Sequence, residues 1–305
     1  MMNPVLVDLV YVQIYWYSVI VMTAFLIGGF LVLKEARKFD IDDETIVNYV
    51  FFLVPIALIG ARFYYVAFNW SLYQGDFIEI LKVWEGGLAI HGGIIFGFLW
   101  TWFFAKTNKI KTLRFMDIIA PALVLGQGIG RWGNFFNQEA HGPATTLEKL
   151  QSLYLPDFII QGMKINGTYY QPTFLYEFIW CFIGFLFLLL VRRFSRYLKV
   201  GQLAGLGLIW LGIGRFFIED LRQDSLIFND LQVAQIFSGI IIFIGLILFF
   251  RGRKKSRFED LYHDKEEIVD PFELARIREQ DALLEVGKSA EKELDINEEI
   301  FDEKK

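Results

Sequence analysis

One cysteine, three histidines and seven prolines are spread over 305 residues, and each scarcity removes a class of chemistry. With Cys181 alone, no intramolecular disulfide can form, and its place inside an apolar run makes it a packing residue. His91, His141 and His263 lie far apart in the chain and have no neighbours at metal-ligand spacing, so no metal site is expected. The sequence also lacks a GxxxxGK[ST] run and a GxSxG elbow, which argues against nucleotide hydrolysis and serine lipase chemistry.

What fills the chain instead is apolar surface. Hydrophobic residues make up 54% and aromatics 17%, with 32 phenylalanines, and the mean hydropathy is +0.39. Apolar runs recur at about 14 to 33, 47 to 68, 88 to 105, 116 to 136, 173 to 191, 201 to 219 and 233 to 250. At 1.5 Å per residue each can cross a hydrocarbon layer of about 30 Å. The expectation is an all-α integral membrane protein with seven transmembrane helices. The first run has no basic residue before it and no small-residue cleavage site after it, so it reads as a retained helix rather than a signal peptide.

Lysine and arginine set the expected orientation. The connections after runs one, three, five and seven hold sixteen of them, whereas the opposite side holds only Lys82, Lys149, Lys164 and Arg222. That split puts the N-terminus outside and the C-terminus in the cytoplasm. Basic residues placed this way are topology determinants, which leaves none for nucleic acid. Residues 258–305 carry 17 acidic and 7 basic side chains, which leaves the first 257 at a net +5. We therefore expect a seven-helix catalytic domain over 1–257 and an acidic, water-facing cytoplasmic tail over 258–305. In that tail, a short helix after Asp270-Pro271 is expected.

Arg62, Arg131 and Arg215 stand inside apolar runs, and burying a guanidinium in lipid is costly enough to imply a negatively charged partner. They lie 14 or 15 residues from the cytoplasmic ends of runs two, four and six, each about 22 Å up its helix. Tyr17, His91 and Glu177 enter their runs from outside, so the intramembrane polar groups converge on the outer leaflet. The longest connection, 138–171, is also outside. Within it, Phe158 to Tyr170 predicts a hairpin turning at Asn166-Gly167. Asn69-Trp70-Ser71 and Asn166-Gly167-Thr168 match a glycosylation pattern, but turn chemistry explains the second better and both are discounted.

Three segments concentrate chemistry. GRWGNFFNQEAHG, Gly130 to Gly142, packs an arginine, two amides, a carboxylate and an imidazole into a glycine-rich helix exit; its arginine can grip a phosphate and its amides a glycerol headgroup. WEGGLAIHGG, Trp84 to Gly93, flanks an imidazole suited to proton transfer with paired glycines that permit close backbone approach. GRFFIEDLRQD, Gly214 to Asp224, places Arg215 and Glu219 on one helical face with Arg222 beyond. An internal salt bridge to Glu219 accounts for one of these arginines but not for both, so a spare positive charge is expected to await an anion. A transporter would need a midplane site between repeated halves, and neither a repeat nor a midplane polar cluster is visible.

These segments, with Trp16-Tyr17, GARFYY around Arg62 and QPTFLYE from Gln171 to Glu177, occur in an order that closely resembles the bacterial phosphatidylglycerol:prolipoprotein diacylglyceryl transferases. The resemblance covers about residues 10 to 255. It implies a multi-pass protein of the bacterial cell membrane that needs no cofactor. Such an enzyme moves the diacylglyceryl group of phosphatidylglycerol to the lipobox cysteine of a prolipoprotein and releases glycerol 1-phosphate. By the same resemblance, Arg131 and Arg215 hold the phosphate, and His91 is the candidate acceptor of the thiol proton. Tyr17 and Asn134 position the headgroup, while Glu139 and Glu219 orient the arginines; Arg62, Gly142 and Arg222 complete the substrate-binding set. Gln171 stands where family members often have histidine, which makes it a structural position here, and His141 receives no role.

Overall fold

A computed structural model describes residues 3–9, 12–74, 78–195, 197–219, 221, 227–228, 231–251 and 260–263. Nine α-helices are assigned among these residues. They are α1 (Trp16–Ala36), α2 (Asp43–Phe68), α3 (Ile90–Thr107), α4 (Thr112–Asn137), α5 (Leu147–Ser152), α6 (Asp157–Gly162), α7 (Thr173–Phe194), α8 (Gln202–Glu219) and α9 (Val233–Arg251). Six of them, α1, α2, α4, α7, α8 and α9, are long and apolar enough to cross a membrane. The 18 residues of α3 include His91 and Lys106, and this helix lies outside that set of six.

Helix α4 is the hub, packing on α1, α7 and α8, while α2 pairs with α3 and α8 with α9. Half of its apolar stretch is buried against protein, compared with 6% for α1. Small residues allow these helices to touch where lipid tails offer no hydrophobic drive for association. A Cβ on Gly92 would lie 2.2 Å from the Gly60 carbonyl, and one on Gly205 would lie 2.7 Å from the Gly245 carbonyl. Phe115 and Ile118 of α4 share one core cluster with Val32 of α1, Ile46 and Tyr49 of α2 and Phe104 of α3. Leu188, Leu203 and Val124 fill the seam between α7, α8 and α4.

Two devices fix the helix ends. Asp117, fully buried on α4, accepts from the Gly201 and Ala204 amides at 2.6 and 2.7 Å, so a side chain of one helix caps the N-terminus of α8. At the same end of the bundle, Asp260–His263 dock on the body. Leu261 bridges Lys199, the Tyr262 amide donates to Leu198 at 2.7 Å, and the buried Tyr262 hydroxyl donates to Glu35 at 2.9 Å. Asp260 pairs with Lys111. These four residues belong to the packed body, four positions inside the segment expected to face water. The rest of the proposed tail, with the helix expected after Pro271, lies outside the described residues.

The 138–171 connection folds into α5, α6 and three short strands, β3 (Ala144–Thr145), β4 (Lys164–Ile165) and β5 (Thr168–Tyr170), which follow the N-terminal ribbon β1 (Val5–Leu9) and β2 (Val12–Tyr15). Strand β5 is central, antiparallel to both β3 and β4. The expected turn is present, with Asn166 and Gly167 at φ 49° and 87°. The hairpin is shorter than predicted, because residues 157–162 are helical. Ile159 and Ile160 are both buried, whereas a strand would put adjacent side chains on opposite faces. Pro156 immediately precedes the first turn of α6.

Candidate functional site

The last two turns of α4 carry Arg131 and Asn134, and the chain then reverses. Gln138 and Ala140 adopt left-handed backbone angles, φ 54° each. The reversal folds Glu139 back over the helix end, where its Oε1 accepts from Asn134 Nδ2 at 2.9 Å and Asn137 Nδ2 at 3.2 Å. Asn134 Oδ1 in turn accepts from Arg131 Nη1 at 3.3 Å. Glu139 therefore orients Arg131 through Asn134 rather than by direct contact.

The returning loop is stitched to the start of α7. Gly142 N donates to the Gln171 carbonyl, Gln171 N to the Pro143 carbonyl, and Thr173 Oγ1 to the Ala140 carbonyl, at 3.0, 3.0 and 2.7 Å. A Cβ on Gly142 would lie 2.9 Å from that of Gln171, so Gly142 serves close packing of the loop. Gln171 contributes its backbone N–H and carbonyl to the same stitch. The His141 ring packs against Tyr170, tilted at 39° with centroids 4.0 Å apart.

One helical turn beyond Thr173, Glu177 is buried between two arginines. Its Oε2 lies 2.5 Å from Arg131 Nε and its Oε1 lies 3.8 Å from Arg215 Nη1. Arg215 Nη2 is also 2.8 Å from Glu219 Oε2 on its own helix. Two guanidiniums from α4 and α8 thus meet on one carboxylate from α7. The sequence alone places Glu177 among the intramembrane polar groups and assigns it no role. The signal was available, because Glu177 is the one acidic residue of the run 173 to 191. It also revises the charge argument, since Arg131 and Arg215 face two buried carboxylates, Glu177 and Glu219. A guanidinium offers five N–H donors, and the two contacts named for Arg131 engage only part of that set.

Tyr17 reaches the same end of α4. Its ring lies against Gly133, where a Cβ would come within 2.5 Å of Cδ2, and Trp16 stacks on Phe136 at 4.7 Å. His91 stands apart from the arginine network. Its ring packs near Phe237 and Tyr64, with centroids 4.8 and 6.0 Å away, and its nitrogens have no hydrogen-bond partner among the described residues.

Arg62, which the resemblance assigns to the substrate-binding set, is packed against the backbone of its own chain. It is buried, and its Nε, Nη1 and Nη2 donate to the carbonyls of Ile80, Gly86, Gly87 and Glu79 at 2.9, 2.8, 3.1 and 2.5 Å. Its guanidinium also sits 5.2 Å from the Tyr73 ring centroid. Short 3₁₀ turns leave carbonyls without helical partners, and Arg62 gathers those of the 79–87 connection. Position along α2 was legible in the spacing, but the direction of the side chain was not. Arg222 lies outside the described residues.

Comparison with known proteins bears on this arrangement. The profile of the family described as prolipoprotein diacylglyceryl transferase matches residues 4–251. The chain belongs to the prolipoprotein diacylglyceryl transferase family. Among its relatives, a phosphatidylglycerol–prolipoprotein diacylglyceryl transferase of Bacillus cytotoxicus is 46% identical over 252 residues, covering 83% of this chain and 93% of the relative. The proteins of the same name from Listeria monocytogenes serotype 4b and Streptococcus suis are 45% and 42% identical. They cover 82% and 84% of this chain, and 90% and 94% of their own lengths. The prolipoprotein diacylglyceryl transferase match ends at Arg251, so the docked Asp260–His263 segment lies beyond it.

Proposed function

We propose that this chain transfers the diacylglyceryl group of phosphatidylglycerol to the lipobox cysteine of a prolipoprotein, the first step of lipoprotein maturation. The names of its relatives support the reaction. The observation that carries the site assignment is the meeting of Arg131 and Arg215 on Glu177. The thiol sulfur attacks the glyceryl carbon bonded to the phosphate oxygen, the C–O bond breaks, and the thioether forms as glycerol 1-phosphate leaves. Negative charge grows on the departing phosphate, and two preorganised guanidiniums in a dry site stabilise it without reorganising. Glu177 and Glu219 keep both forks in place before lipid arrives. Asn134 and Tyr17 position the headgroup, with Glu139 fixing Asn134, and Arg222 is kept in the same substrate-binding set on the strength of the family resemblance alone.

Thiolate is the reactive form of cysteine, and His91 accepts the thiol proton. Its ring nitrogens, without a protein partner among the described residues, are available to the incoming peptide. The protein is a multi-pass protein of the bacterial cell membrane. In this reading α3 is the seventh span, the N-terminus is outside and the C-terminus is cytoplasmic, which places the arginine pair in the outer half of the bilayer.

The test combines purified protein, phosphatidylglycerol and a lipobox peptide followed by mass spectrometry. The peptide gains one diacylglyceryl unit with wild type, and Arg131→Ala abolishes the gain. Equal modification by Arg131→Ala, or equal use of a zwitterionic phospholipid, would overturn the assignment.

A further inference from the structure

Helices α7 and α8 are locked by two tryptophans that treat each other identically. Trp180 Nε1 donates to the Trp210 carbonyl and Trp210 Nε1 donates to the Trp180 carbonyl, both at 3.0 Å. The indoles stack with centroids 4.6 Å apart and planes at 23°. Each indole also fills the place of a side chain missing from the facing helix. A Cβ on Gly214 would lie 2.2 Å from Trp180 Nε1, and one on Gly184 would lie 2.2 Å from Trp210 Nε1. Helix α4 is seated on the same stretch of α7, where a Cβ on Gly128 would lie 2.8 Å from that of Cys181.

These contacts adjoin the charged cluster. Trp180 is three residues past Glu177, and Gly214 directly precedes Arg215. A slide of α8 along α7 by one residue, about 1.5 Å, would break both indole hydrogen bonds and drive each ring out of its slot. Because the arrangement is reciprocal, it resists sliding in either direction. An indole N–H left unpaired between helices in lipid has no water to turn to.

We propose that the Trp180–Trp210 interlock is a positioning device for diacylglyceryl transfer. By fixing the register of α8 on α7, it sets where Arg215 stands relative to Glu177 and Arg131. The proposal rests on the reading of those three residues as the phosphate site. Neither tryptophan touches the reacting atoms, so the effect reaches the reaction through Arg215 and the lipid phosphate and leaves capture of the peptide unchanged.

The experiment measures kcat and KM for the lipobox peptide on full-length protein reconstituted with phosphatidylglycerol. Gly214→Ala forces Trp180 and the start of the Arg215 turn apart, and a displacement of about 1 Å is expected to lower kcat about 10²-fold. KM stays within about twofold, the signature of an interaction made in the transition state. Trp180→Leu in the Gly214→Ala background clears the added methyl and restores at least about a tenth of wild-type kcat, a non-additive rescue that residues in contact permit. Trp180→Phe and Trp210→Phe keep a ring and lose the N–H. They carry the test should Gly214→Ala lack a thermal unfolding transition, and each lowers kcat at unchanged KM. The inference is overturned if the tryptophan variants turn over like wild type, or if the Gly214→Ala/Trp180→Leu pair is no better than a folded Gly214→Ala. Glu177→Gln run in parallel separates the two levels. If it retains full activity, the site assignment itself fails, whereas an inactive Glu177→Gln beside fully active tryptophan variants removes only the interlock.

Discussion

At the scale of single residues, Glu177 and Arg62 exchange the importance that the sequence suggested. A carboxylate shared by two guanidiniums is a hub, and removing its charge leaves Arg131 without its carboxylate partner, while Arg215 keeps Glu219. We expect Glu177→Gln to lower kcat for peptide lipidation by about 10²-fold or more, in the range seen when one transition-state donor is misplaced or lost. Arg131→Lys keeps the charge but loses the fork that bridges Glu177 and Asn134, and falls by a similar factor in the same assay. Arg62 behaves differently, because its work is to satisfy backbone. Arg62→Ala strands four carbonyls at about 1–3 kcal/mol each where they stay buried. The expected result is a lowered thermal midpoint and faster proteolysis of the 79–87 connection, with kcat per folded molecule higher than that of Arg131→Ala. The motif Gly130 to Gly142 disclosed Arg131, Asn134 and Glu139 because their chemistry is local in sequence. Glu177 and Arg62 were harder to read, since helical spacing gives depth in the membrane but not which neighbour a side chain meets.

At the scale of elements, hydropathy located the helices, and turn chemistry located the Asn166-Gly167 reversal. The short helix α6 escaped because six residues show too little period to separate a helix from a strand. The cap that Asp117 places on α8 was also invisible, since its partners, Gly201 and Ala204, are more than eighty residues away. Asp117→Ala removes both acceptors from the first turn of α8 and is expected to cost about 1–2 kcal/mol. The check is thermal unfolding in detergent, where Asp117→Asn, which retains one acceptor, falls between alanine and wild type. Because α8 carries Arg215 at its far end, a loosened cap also reaches the site through the interlock with α7.

For the whole molecule, the two ends of the bundle are built for different work. One gathers Tyr17, Arg131, Glu177 and Arg215. The other buries Tyr262 on Glu35, with Arg192 3.4 Å from the same carboxylate and Lys38 at 2.7 Å. Composition separated an acidic C-terminal segment from the bundle, but charge counting could not show that Asp260–His263 would pack into it. Burial, with Glu35 beside it, pushes the Tyr262 phenol above its ordinary range. The neutral phenol is the form that fits, so its contribution is complete below pH about 10 and is lost as the pH climbs beyond that. Tyr262→Phe is expected to cost about 1 kcal/mol. The difference from wild type in thermal midpoint is constant through neutral pH and shrinks above pH about 10. Transfer activity at neutral pH is unaffected, since the latch and the arginines lie at opposite ends. The central claim is that guanidiniums from α4 and α8 take hold of one lipid phosphate, and the most direct measurement is an electron cryo-microscopy map of the protein with phosphatidylglycerol in a lipid nanodisc. The account predicts headgroup phosphate density within about 3 Å of both Arg131 and Arg215; density held by Arg62 or His91, with Arg131 and Arg215 still closed on Glu177, would contradict it.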